Sequence, residues 1–169
     1  MSKLVAIALG SNLGDGLELF CGARTQLLIK ACCQPGSLIS GGLYRSEPIG
    51  CPPGSPPFLN SAIWLETELT PLDLLDLLQS LEDAAGRMRS NVKNAARTLD
   101  LDLIFHGDER RTDERLELPH PRFRQRLFVV APLADAKPGF TVDGESLEEM
   151  RKHLEGEPGP GCQLLRADW

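Results

Sequence analysis

Two aspartates one residue apart lie in the run Arg97-Thr98-Leu99-Asp100-Leu101-Asp102-Leu103. On an extended strand, residues i and i+2 point to the same face. Asp100 and Asp102 therefore share one face, and Leu99, Leu101 and Leu103 take the other. Two carboxylates about 7 Å apart at the backbone can converge on hard cations. Mg²⁺ takes one or two carboxylates and completes its shell with phosphate oxygens and water, and a pair of such ions suits in-line displacement at phosphorus. Taken alone, the same alternation more often describes an amphipathic strand with a solvated acidic face.

Arg87, Arg89, Lys93 and Arg97 lie just before those aspartates, and Arg115, Arg122, Arg124 and Arg126 surround His120. Phosphoryl chemistry needs cations on the developing charge as well as metal ions. Either cluster alone reads best as a solvated charge run. Two of them in a chain of net charge −6, one abutting a carboxylate pair, point toward a polyphosphate site. The same net charge argues against a general nucleic-acid or anionic-membrane surface. The sequence has no Gly-x-x-x-x-Gly-Lys-Ser/Thr loop and no protein-kinase signature, so metal and arginines must hold any nucleotide. Gln79 and Glu82, three apart near a helix end, share a face and alone read as surface residues. Phe58, Phe128, Asn60 and His120 are likewise unremarkable when taken singly.

The elements that position these residues follow from local pattern. Residues 4–9 form a short apolar run that reads as a buried strand; the run is too short for a secretory leader, since Gly10-Ser11-Asn12 interrupts it. Asp15 with Glu18 has the form of a capping box, and helical spacing continues to about residue 33, before Pro35-Gly36. Residues 38–44 read as a strand. The stretch 46–58 holds five prolines and must be a loop. Residues 59–69 alternate as a strand. Thr70 caps a second helix that has Pro71 at its first position and Asp73 in its first turn, and Gly86 ends it. A polar loop, 87–98, leads into a fourth strand, 99–105. Beyond it come a Pro-His-Pro segment, an apolar run at 127–133 and a short helix at 146–154. The Gly/Pro-rich stretch within 155–169 suggests a loosely held tail.

Strand–helix–strand–strand–helix–strand is the ferredoxin-like βαββαβ order. The expected class is α+β, an antiparallel sheet with helices packed on it and C-terminal additions, in one domain over 1–169. The length suits one core. Five cysteines, two of them adjacent and none at zinc spacing, read as reduced thiols of a cytoplasmic protein rather than a disulfide framework. No stretch approaches the roughly 20 apolar residues of a membrane helix.

Eight segments in order resemble the 6-hydroxymethyl-7,8-dihydropterin pyrophosphokinases. They are Ala8-Leu9-Gly10-Ser11-Asn12-Leu13-Gly14-Asp15, Tyr44-Arg45-Ser46-Glu47-Pro48-Ile49-Gly50, Phe58-Leu59-Asn60, Gln79-Ser80-Leu81-Glu82, Gly86-Arg87-Met88-Arg89, Arg97-Thr98-Leu99-Asp100-Leu101-Asp102, Pro119-His120-Pro121-Arg122-Phe123 and Arg126-Leu127-Phe128-Val129-Val130-Ala131-Pro132-Leu133. The resemblance spans about residues 4–140, and the Arg-Thr-Leu-Asp-Leu-Asp match is its most specific part.

The resemblance implies a reaction and roles for these residues. The terminal pyrophosphate of ATP passes to the pterin hydroxymethyl oxygen, leaving AMP, in folate biosynthesis. Asp100 and Asp102 would hold two Mg²⁺ ions, and Arg87 and Arg97 would stabilise the transferring group. Gln79, Glu82, Arg89, Lys93, Leu103, Arg115, His120, Arg124 and Arg126 would line the nucleotide. Phe58 and Phe128 would sandwich the pterin, Asn60 and Ser46 would hydrogen-bond its edge, and Glu47, Pro48 and Ile49 would flank it. The partners implied are ATP and the dihydropterin, with no nucleic acid and no membrane. The chain would act as a monomer, open to association with other folate enzymes.

Two positions depart from the family pattern. Asn94-Ala95-Ala96 stands where many members have Trp-Gly-Pro, leaving Lys93 to take over the contact, and Glu47 replaces a proline. A non-catalytic binding domain on the same scaffold need not keep both aspartates, both arginines and the aromatic pair. An enzyme for another hydroxymethyl heterocycle need not keep the pterin residues.

Overall fold

The computed structural model describes residues 1–32, 34–86 and 98–169. The first strand, β1 (Lys3–Ser11), is apolar on both faces, which suits a central position. Val5, Ile7 and Leu9 point one way and Ala6 and Ala8 the other, and all five are buried. Antiparallel partners flank it: β4 (Phe58–Thr67) on one side and β5 (Asp100–His106) on the other. Beyond β4 lies β3 (Leu43–Ser46), and beyond that β10 (Cys162–Arg166), giving the order β10-β3-β4-β1-β5. The short β2 (Ile39–Ser40) pairs separately with β4.

Two helices cover one face. Helix α1 (Gly16–Lys30) is capped by Asp15, which accepts from the Glu18 N–H at 3.0 Å. Helix α2 (Pro71–Ala84) is capped by Thr70, which accepts from the Asp73 N–H at 3.2 Å. Its chain leaves through Gly86 at φ +82, a left-handed position that favours glycine. Phe20, Leu27, Leu74 and Leu78 from these helices bury against Ile7, Leu9, Ile63, Leu101 and Leu103. The path β1-α1-β3-β4-α2-β5 is the expected ferredoxin-like core.

The opposite face is covered by the C-terminal additions. Helix α3 (Leu127–Ala136) and helix α4 (Leu147–Gly156) pack Val129, Val130, Leu133, Leu147 and Met150 over Ala6, Ala8, Ala62 and Trp64. The run at 127–133 is thus a helix, apolar all round because sheet and α4 enclose it. Two hairpins, β6 (Arg111–Thr112) with β7 (Glu117–Leu118) and β8 (Thr141–Val142) with β9 (Glu145–Ser146), link these elements.

Two segments differ from the sequence expectation. The strand expected over 38–44 is divided, because α3 rests its backbone on the break: a Cβ on Gly41 would stand 2.0 Å from the Pro132 carbonyl oxygen. The segment read as a loose tail supplies a strand instead. β3 offers an open edge, and β10 fills it with Cys162, Gln163 and Leu164 opposite Ser46, Arg45 and Tyr44. The Trp169 indole N–H then donates to the Gly41 carbonyl at 2.8 Å and Ser61 Oγ at 3.0 Å. Its ring lies 5.8 Å from Phe20 and 4.8 Å below the Arg24 guanidinium. The Gly and Pro residues before β10 serve only the connection.

Candidate active site

One row of residues crosses the sheet. Asp100 is opposite Gly10, Gly10 opposite Asn60, and Asn60 opposite Tyr44. Cross-strand partners share a face, so Asp100 and Asn60 stand on the same side with a glycine between them. The neighbouring rows place Asp102 beside Ala8 and Phe58 beside Ser46. This is the face that α3 covers further along, over Ala8 and Ala62. Both aspartates are only partly buried, whereas Leu101 and Leu103 on the reverse face are core. The alternation expected from sequence holds as far as Leu103. Past it the β1–β5 register shifts, Ile7 pairing Leu103 and Ala6 pairing Phe105, and Ile104 and Phe105 both join the second core cluster.

β5 is an edge strand, and two of its backbone groups have partners outside the sheet. Glu82 is 4% exposed, and its Oε1 accepts from the Leu101 N–H at 2.7 Å. That peptide group lies between the two aspartates. One residue past Leu103, the Ile104 carbonyl accepts from the His120 N–H at 3.0 Å. Edge coverage of this kind fixes the strand that carries the carboxylates. Glu82 therefore does not share the exposed face on which Gln79 sits. It is turned inward because a buried strand edge needs an acceptor.

His120 follows a cis Leu118–Pro119 bond. Its Nδ1 accepts from the Arg122 N–H at 3.2 Å, which leaves Nε2 as the donor of the neutral ring. Burial pushes its pKa below the usual histidine range, helped by the charges of Arg126 and Arg122, while Asp100 pulls it up. The imidazole thus sits within reach of the fields of both an aspartate of β5 and the arginine that precedes α3. The Arg126 guanidinium lies 5.8 Å over the Phe128 ring. Phe128 is half-buried against the second core cluster, and Phe58 is half-buried at the start of β4.

The Asn60 amide donates to Ser46 Oγ at 2.8 Å, and both residues are buried. The loop that follows Ser46 holds Glu47, Pro48 and exposed Ile49, and is tied to the turn after β1 by the Asn12 amide, which donates to the Pro56 carbonyl at 3.3 Å. Underneath, the Tyr44 hydroxyl donates to Asp135 at 2.7 Å, and Arg151 donates to the other oxygen of the same carboxylate at 2.8 Å. Burial and the Asp135 contact raise the Tyr44 pKa well above its ordinary value. Burial pushes the Cys162 thiol on β10 up to about 11. Sequence reading missed this tether of β3 to α3, because Tyr44 and Asp135 are far apart in the chain and neither belongs to a local pattern.

The other nucleotide residues expected from sequence fall less neatly. Arg115 is exposed and pairs with Asp76 of α2. Arg124 binds the β8–β9 hairpin through Asp143 at 2.7 Å, Glu145 at 3.4 Å and the Val142 carbonyl at 3.2 Å. The Leu103 side chain is core, so it does not share the face that carries the aspartates. Arg87, Arg89, Lys93 and Arg97 lie outside the described residues. Among the described residues no cluster of three or more His, Cys, Asp or Glu could hold a metal by itself. A pair of hard carboxylates fits Mg²⁺ completed by substrate oxygens. Among the described residues no helix is long and apolar enough to cross a membrane.

Residues 6–138 match the model of the 7,8-dihydro-6-hydroxymethylpterin-pyrophosphokinase family. The chain is 38% identical over 166 residues to the 2-amino-4-hydroxy-6-hydroxymethyldihydropteridine pyrophosphokinase of Pseudomonas aeruginosa, covering 98% of each chain. To the protein of that name from Bacillus subtilis it is 38% identical over 135 residues, 80% of this chain and 78% of the other. Its fold is similar to the Plasmodium falciparum HPPK-DHPS crystallised with pterin and p-hydroxybenzoate, at a TM-score of 0.64 and 11% identity. That match covers 90% of this chain and 42% of the longer one, and shows the fold alone.

Proposed function

This chain belongs to the 7,8-dihydro-6-hydroxymethylpterin-pyrophosphokinase family and transfers pyrophosphate from ATP to hydroxymethyldihydropterin in folate biosynthesis, and we propose that the Asp100–Gly10–Asn60 row is where the two substrates meet. The observation that carries this is the register: it sets a carboxylate pair and a buried amide on one face, two strands apart.

Asp100 and Asp102 would hold two Mg²⁺ ions, which would offset the negative charge of the phosphate oxygens during transfer. The protein's own part is positioning. Glu82 fixes the peptide between the aspartates. His120, kept neutral and donating from Nε2, and Arg126 offer donors to nucleotide oxygens on the Asp100 side. Phe128 and Phe58 provide flat apolar faces for the pterin, and Asn60 with Ser46 offers hydrogen bonds to its polar edge. Arg87 and Arg97 complete the reading as cations on the transferring group. Gln79, Arg89, Lys93, Arg115 and Arg124 line the nucleotide in the same scheme, the last two after exchanging their present carboxylate partners. Attack by the hydroxymethyl oxygen at the β-phosphorus then releases AMP. The enzyme works in the cytoplasm as a monomer, and the Folate synthesis bifunctional protein of Arabidopsis thaliana, 34% identical over 143 residues, supports association with folate-pathway enzymes.

Calorimetry with a non-hydrolysable ATP analogue tests the metal assignment. Binding that needs Mg²⁺ and weakens in Asp100→Asn and Asp102→Asn supports it. Equal binding in excess chelator refutes it.

A further inference from the structure

Among the described residues nothing in the packing or backbone geometry requires a glycine at position 10. It lies inside β1, paired on both sides, and its φ is not in the left-handed region that would demand glycine. Packing does not demand it either. Among the described residues, the atoms nearest to a Cβ built there are Asn60 Oδ1 and the Asp100 Cβ, both at 3.9 Å, ordinary contact distance. Gly41 contrasts sharply, since its added Cβ would sit 2.0 Å from backbone. Glycine inside a strand weakens it, through entropy and the missing side chain, and often marks close approach by a ligand or another backbone. Among the described residues no backbone comes within 4 Å of a Cβ built here. Gly10 is partly exposed, while Leu9 and Ser11 on either side are buried.

We propose that Gly10 is the bare floor across which the acceptor substrate lies, so that it determines where the pterin hydroxymethyl group stands relative to the aspartates. This rests on the assignment of Asp100 and Asn60 above. Two inter-strand steps separate those residues, about 9.5 Å, and Gly10 is the middle step. A fused bicyclic ring whose edge is held at Asn60, with its hydroxymethyl arm reaching toward Asp100, must pass over β1 at this residue. The next residue on the same face, Ala8, is buried against the second core cluster, so the open floor stops there. With Phe58 and Phe128 on the two ring faces, a side chain at position 10 would push on the ring edge that faces β1 and lift it from both ends at once.

The test uses Gly10→Ala and Gly10→Val in the full chain. Melting temperature, binding of a non-hydrolysable ATP analogue with Mg²⁺, and binding of the dihydropterin to that complex are measured. The expected result is an unchanged or higher melting temperature, nucleotide Kd within about threefold, and pterin Kd raised about 10- to 200-fold, more for Val than Ala. Pterin Kd within about threefold of the parent in both variants overturns the inference. So does a fall in melting temperature with both ligands lost alike, since that marks a packing role. Asn60→Ala and Asp100→Asn are run in parallel. If those two bind and turn over like the parent, the site assignment itself has failed and the proposal falls with it. If they are impaired while Gly10→Val is not, the glycine inference alone is wrong.

Discussion

Glu82→Ala is the perturbation whose size follows most directly from the structure. The side chain is 4% exposed, and its Oε1 takes the Leu101 N–H at 2.7 Å. A hydrogen bond to a charged group contributes about 1.5–3 kcal/mol, and removal leaves a strand-edge N–H short of its acceptor. In a chain of 169 residues each kcal/mol moves the melting temperature by about 2–4 °C, so the expected drop is about 3–12 °C. Glu82→Gln keeps an oxygen in place as a neutral acceptor at roughly half the strength, and should lose only about 1.5–6 °C.

The catalytic signature should match. The Leu101 peptide sits between Asp100 and Asp102, so Glu82→Ala should lower kcat and raise the Mg²⁺ concentration needed for half-maximal rate. Glu82→Gln should restore most of both. Thermal melts and steady-state kinetics across a Mg²⁺ series read these effects. A Glu82→Ala enzyme with the parent's melting temperature and Mg²⁺ dependence, but weakened ATP binding, would refute the reasoning. It would return Glu82 to the nucleotide, the role that family resemblance alone suggests.

Three further outcomes follow from the geometry. Phe128→Ala should weaken pterin binding by about tenfold or more through lost stacking and nucleotide binding much less, although Arg126 loses the ring beneath it; equal losses would mark Phe128 as core only. The His120 imidazole, assigned by comparison with His120→Gln, should titrate below the ordinary histidine range in NMR spectra of the metal-free protein. Because its folded pKa is lowered, its contribution to stability is full above about pH 6.5 and is lost as pH falls through the folded value; a melting temperature that His120→Gln makes no less dependent on pH between 7 and 5 would contradict this. Trp169→Ala should lower the melting temperature by about 4–8 °C, since it deletes two hydrogen bonds and two ring contacts that join the C-terminal segment to α1 and β4. An unchanged melt would mean that those contacts stabilise nothing.

Elements with their own local signals were legible in the chain. Thr70-Pro71 and Gly86 bound α2 as their chemistry requires, and alternation at 99–103 placed both aspartates on one face. Features that depend on a distant partner were not. Nothing near Gly41-Gly42 announces that α3 will rest on the backbone and split a strand. The 127–133 run has no helical periodicity, because it is enclosed by the sheet on one side and α4 on the other. β10 follows a Gly/Pro-rich stretch that resembles a loose tail, and only the open edge of β3 explains why it is a strand. Glu82 looked like a surface residue because its partner is a backbone N–H, which no sequence pattern displays. The chemistry of the site came instead from motifs in order, since Phe58, Asn60 and Phe128 carry no individual signal.

The most direct measurement is pterin-dependent AMP release by Asp100→Asn and Asp102→Asn at saturating ATP, Mg²⁺ and dihydropterin, with a thermal melt of each variant. The account predicts that both variants melt cooperatively near the parent temperature and that AMP release falls by at least about 10³-fold, because a missing metal ligand removes stabilisation from the transferring group. Turnover close to the parent's in both folded variants would contradict it.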